Sequence, residues 1–110
     1  MPSQKTSGTQ TTVIDTLHTL ATVIDPGVYV LSLDLNAGVA GDIYEIDVLV
    51  KVLTGGTARK YLPTAIYVSP LASPVVLSIP IPVLWSVVFK LQQTDGATSN
   101  IPWEVIQLDA

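Results

Sequence analysis

Between Ile43 and Leu53 the chain alternates without a break. Tyr44, Ile46, Val48, Val50 and Val52 form one set; Ile43, Glu45, Asp47, Leu49, Lys51 and Leu53 form the other. Successive side chains of an extended strand point to opposite faces, so the first set lines one wholly apolar face. A strand of this kind needs partner strands and a cover over its apolar side. Composition points the same way. Val, Ile and Thr supply 36 of 110 residues, types that are stiff in helices and favoured on pleated surfaces. Glu occurs only at Glu45 and Glu104, and strong surface-helix formers are scarce. The expected fold is all-β: a single-domain antiparallel β-sandwich, jelly-roll-like, of about seven or eight strands.

Other segments fill out that expectation. Val28 to Leu35 sets Tyr29, Leu31, Leu33 and Leu35 on one face, and a turn-rich stretch with Gly38 and Gly41 leads into the long strand. Thr54-Gly55-Gly56-Thr57 predicts a tight hairpin turn using positive φ, with a return strand from Ala58 to Val68 made irregular by Pro63. Val75 to Ile81 reads as a strand limited by Pro80 and Pro82, which suits a sheet edge. Val83 to Gln93 alternates with Trp85, Val87, Phe89 and Leu91 pointing one way. Thr94-Asp95-Gly96-Ala97 is a second hairpin signal, and Ile101 to Leu108 is the last strand. Thr11 to Ile24 predicts one or two strands. Residues 1–10 are polar with nothing to bury and are read as an extended N-terminal arm, leaving 11–110 as the sandwich domain.

Several function classes fall away. Without Cys there is no disulfide framework, thiolate metal site or thiol nucleophile. Five basic residues against nine acidic ones give a net charge of −4, which argues against nucleic acid and anionic membranes as partners. The apolar run from Val75 to Phe89 is broken by Pro80 and Pro82 and is too short for a membrane helix. The opening residues lack the apolar stretch of a secretory signal, so the expected place is intracellular or reached without such a signal.

The candidates for chemistry are few. His18 is the only histidine and its neighbours give no sign of activation; it reads as an ordinary strand residue. Asp42, Glu45 and Asp47 lie close in sequence, but three carboxylates fall short of the ligands calcium takes, and a solvated strand face explains them. Glu45 and Glu104 have no spacing that sets a glycosidase distance. Gly55-Gly56 lacks the Lys-Ser/Thr and helix of a phosphate loop. Trp85 and Trp103 sit within alternating apolar strands and are expected in the core. No catalytic, cofactor-binding or metal residues are assigned, no cofactor is expected, and the chain is read as non-enzymatic.

What remains is an excess of hydrophobicity, with a mean hydropathy of +0.50. If Tyr44, Ile46 and Val48 point inward, Ile43, Leu49 and Leu53 point outward. If Trp85, Val87 and Phe89 point inward, Leu84 and Val88 point outward. Ile43, Leu49, Leu53, Leu84 and Val88 are therefore the candidate interface, of a kind that a homo-oligomer, dimer or trimer, would cover.

Five segments also resemble a known family. They are Asp34-Leu35-Asn36, Gly41-Asp42-Ile43-Tyr44-Glu45, Lys51-Val52-Leu53-Thr54-Gly55-Gly56-Thr57, Phe89-Lys90-Leu91-Gln92-Gln93-Thr94-Asp95-Gly96 and Pro102-Trp103-Glu104-Val105. In order and approximate spacing they are similar to small virion proteins of tailed bacteriophages encoded beside the major capsid gene. The resemblance spans about Gly27 to Leu108 and does not extend to the first 26 residues or to Tyr61–Val83. It implies a cement or decoration protein on the capsid exterior, made in the host cytoplasm, with the major capsid protein as partner. Members are often jelly-roll-like and bridge neighbouring capsid subunits at local symmetry axes. The family contributes no functional residues. The alternative it leaves open is a binding module of a tail fibre or head–tail connector.

Overall fold

A computed structural model of the chain describes residues 2–61 and 63–109. These residues form ten strands: β1 (Ser3–Thr11), β2 (Leu17–Val23), β3 (Gly27–Asp34), β4 (Ile43–Lys51), β5 (Arg59–Lys60), β6 (Ala65–Val68), β7 (Val75–Leu77), β8 (Ile81–Val83), β9 (Ser86–Asp95) and β10 (Asn100–Gln107). From the middle outwards the chain is one long hairpin folded back on itself. β4 pairs with β5 and β6, β3 with β7 and β8, β2 with β9, and β1 with β10, all antiparallel. Two more pairings, β10 with β3 and β9 with β4, gather the strands into two sheets. The first runs β1-β10-β3 with β7 and β8 on its border; the second runs β2-β9-β4 with β5 and β6 on its border. Such wrapping makes a jelly roll. β5 and β6 follow each other along β4, and β7 and β8 along β3, so ten strands occupy eight strand positions.

The alternation puts the core where the sequence predicts. Tyr44, Ile46 and Val48 of β4 face Tyr29, Leu31 and Leu33 of β3 across the sandwich. Val87, Phe89 and Leu91 of β9 and Ile101 and Val105 of β10 fill the space between. All of these are buried.

Within the stretch read as an extended polar arm, residues 1–10, the chain from Ser3 onward forms an edge strand. β1 lies along β10 from Ser3 opposite Gln107 to Thr11 opposite Asn100, so a boundary at residue 10 falls inside a strand. Backbone hydrogen bonds need no apolar side chains, and β1 docks while leaving its side chains largely in water. Gly8 also makes room for Trp103, since a Cβ there would stand 3.0 Å from the indole.

Three other expectations need correction. The Gly55-Gly56 turn closes with the Gly56 N–H on Leu53 O at 2.9 Å and needs no positive φ; among glycines those conformations belong to Gly41 and Gly96. The strand expected over Val75–Ile81 breaks into β7 and β8. At the break the Ser78 hydroxyl accepts the Leu31 N–H at 2.9 Å and Ser78 N–H donates to Leu31 O at 2.8 Å, holding the border where Pro80 cannot donate. The return strand Ala58–Val68 likewise divides into β5 and β6, and Leu62 between them lies outside the described residues.

Candidate interaction surface

The strand registers bring three connections to one end of the sandwich. Lys51 at the end of β4 pairs with Ser86 at the start of β9, Val23 pairs with Val87, and Gly27 with Val83. The β2–β3 turn, the β4–β5 loop and the β8–β9 link therefore share that end. Loop tips are ordinarily polar. Here they carry Ile24 (70% exposed), Val52 (82%), Leu53 (69%), Leu84 (61%) and Trp85 (38%). Trp85 precedes β9 and stands outside the core, contrary to the sequence reading; Trp103 is half-buried and packs against the core.

Of the five candidate interface residues, Leu53 and Leu84 belong to this loop-tip end. Leu49 and Val88 lie opposite each other on the outer face of the second sheet, half-buried and toward the same end. Ile43 is apart. It starts β4 beside Val68 and Asp95, about 20 Å along the strand from Leu49. Alternation missed Ile24, Val52 and Trp85 because it loses meaning once a strand has ended, and β4 ends at Lys51. The available signal was apolar residues inside turn-rich segments.

A second apolar surface lies along the border where β6 faces β7 and the β7–β8 link. The split border strands leave a cleft of about 180 Å³ between the sheets, lined by Leu31, Leu33, Ile46, Val48, Tyr67 and Val76 among others. Ile66, Leu77 and Ile79 are exposed along that border.

The polar groups serve the fold. Asp42 is 1% exposed; its Oδ2 accepts the Val39 N–H at 3.0 Å and lies 3.4 Å from the Tyr44 hydroxyl, which donates to Ser99 Oγ at 3.0 Å. Burial pushes the Tyr44 phenol above its ordinary pKa. Thr12 donates its hydroxyl to buried Gln93, whose amide holds the carbonyls of Asp95 and Ala97. These bonds tie the turns at the far end of the sandwich. Glu45 and Asp47 face outward on the second sheet while Asp42 is buried, so the three carboxylates do not converge. Asp47 is held by Thr64 at 2.5 Å and Lys60 at 3.6 Å. Glu104, on the first sheet, accepts from Gln4 at 2.7 Å and does not face Glu45. His18 Nε2 accepts the Val13 N–H at 3.1 Å, which fixes the β1–β2 connection. Among the described residues no group of three or more His, Cys, Asp or Glu is placed to hold a metal, and no helix is long and apolar enough to cross a membrane.

Comparison with known protein families, with curated proteins and with solved structures finds no match.

Proposed function

We propose that this protein is a non-enzymatic structural component of a bacteriophage capsid, a decoration or cement protein that binds the shell exterior and bridges major capsid subunits. The observation that supports it is the presence of two separate exposed apolar surfaces, the loop-tip end and the β6/β7 border, on one stiff sandwich. A bridge needs two contacts, and large exposed apolar patches usually mark interfaces. The buried side chains of Thr12, Asp42 and Gln93, by contrast, hold turns. The resemblance to small capsid-associated virion proteins supplies the finer reading.

The test is the thermal stability of capsid shells that lack the protein. Adding it raises the shell melting temperature, whereas Leu77→Asp or Leu84→Asp, each spoiling one surface, removes that gain while the isolated domain stays folded. A shell melting temperature unchanged by the wild-type protein contradicts the reading.

One observation favours the alternative, a binding module of a tail fibre or connector. Trp85 is exposed at a loop tip, where aromatic side chains serve as anchors. That reading predicts a few copies per virion and loss of target binding in Trp85→Ala with no effect on shell stability.

A further inference from the structure

We infer that β6 is where two copies of this chain pair, edge to edge about a two-fold axis, so that the second sheet continues from one copy into the other. This goes beyond the capsid reading and is measured without a shell.

The backbone makes the occupant a strand. β6 ends the second sheet and pairs only with β4. Tyr61 N–H donates to Val48 O and Ser69 N–H to Asp42 O, both at 2.8 Å, so the even positions along β4 turn their peptide groups towards this border. Tyr44 and Ile46 stand opposite Tyr67 and Ala65, which are therefore the residues of β6 bonded to β4. Ile66 and Val68 turn their N–H and C=O groups away from β4, and no bond from another described residue reaches them. Free backbone donors and acceptors in a row are completed by another extended strand.

The strand that fits is a second β6. Edges that avoid pairing carry charges, prolines or bulges. β5 is Arg59-Lys60, β8 contains Pro82, and β7 is cut to three residues between Pro74 and Pro80. β1 carries Lys5 and a register shift between Gln4 and Thr6; β2 has one between Thr19 and Ala21. β6, Ala65-Ile66-Tyr67-Val68, has no charge, no proline and no shift. Setting Tyr67 opposite its own symmetry mate brings Ile66 opposite Val68 of the second copy, twice. Both residues have outward backbone groups, so each pair exchanges two hydrogen bonds. Their side chains, 62% and 54% exposed, meet on the outer face as β-branched cross-strand pairs. Tyr67 and Ala65 stay on the inner face, where they line the cleft. A one-residue slip would set outer side chains against inner ones, and Pro63 and Pro70 bound the stretch that can pair. Such a pairing uses the edge of both copies, closes as a dimer and leaves both loop-tip ends free.

The test is sedimentation equilibrium of the full chain up to about 0.5 mM. The expected result is a reversible monomer–dimer equilibrium. Ile66→Lys and Val68→Glu, both at exposed positions, each weaken it at least about tenfold without changing the melting temperature of the dilute domain. An equimolar mixture of the two variants recovers the dimer to within about threefold of wild type, because the introduced ammonium and carboxylate face each other only in this register. A chain that stays monomeric, or forms a trimer, overturns the inference. So does a dimer that both single variants leave intact, or a mixture as monomeric as each variant alone. A monomeric chain whose shell binding is lost in Ile66→Lys gives this edge to the shell instead, which also overturns the inference while leaving the capsid reading in place.

Discussion

Gly96 shows how much one residue can fix. Its φ is +97°, and a Cβ there would fall 1.7 Å from Asp42 Oδ1, an oxygen with no hydrogen-bond partner of its own. The β9–β10 turn thus presses its backbone onto the buried carboxylate that holds the β3–β4 loop. Gly96→Ala is expected to cost about 2–4 kcal/mol, from the left-handed backbone and the displaced carboxylate together. Gly55→Ala, with open space and no positive φ, should stay within about 0.5 kcal/mol. Urea unfolding of the two variants measures the contrast. Sequence reasoning flagged both segments as hairpin signals but could not rank them, because the difference lies in a contact between residues 42 and 96.

Ionisation acts at the same scale. Burial raises the pKa of Tyr29 and Tyr44, so the unfolded chain loses these protons first as pH rises. Their folded forms contribute fully below about pH 10, and stability falls above it. The Asp25 hydrogen bond raises Lys5, whose contribution is likewise present below its ordinary pKa and lost as pH rises through the folded value. The Val28 N–H lowers Asp109, so its contribution is present above the ordinary carboxylate pKa and lost as pH falls. Thermal melts across pH should show a plateau between about pH 5 and 9 with a fall on both sides. A melting temperature still rising between pH 10 and 11 would contradict the alkaline limb.

Among the elements, β1 departs furthest from the sequence reading. Eight polar residues and Gly8 gave no periodic signal, yet they form the edge strand along β10. Periodicity reports burial of side chains, and β1 is held by its backbone, so the signal was absent for a physical reason. Deleting residues 1–11 is therefore expected to lower the melting temperature of the isolated domain by more than about 5 °C. An unchanged melting temperature would mean that β1 adds nothing to the sandwich. At the opposite border, Ser78→Ala removes the acceptor for the Leu31 N–H and should cost about 1–2 kcal/mol in the same unfolding assay. The prolines marking that border were legible in the sequence. That Ser78 would take over the ladder was not, since it depends on Leu31, distant in the chain.

For the whole molecule, the all-β class, the sandwich and its inward-facing residues followed from local alternation in β3, β4 and β9. The folded-back pairing did not, because strand order is decided by contacts between distant segments. The candidate surface was legible in part. Leu53 and Leu84 were found by parity and do lie together, but Ile24, Val52 and Trp85 join them only when three loops are brought to one end. The proposal that rests on this surface is that the apolar end and border hold neighbouring subunits together. Its most direct test is co-sedimentation of the purified protein with expanded capsid shells that lack it, counted as copies bound per shell. Saturation is expected at a copy number matching one set of shell symmetry axes. No binding, or only a few copies per virion at a single site, contradicts it.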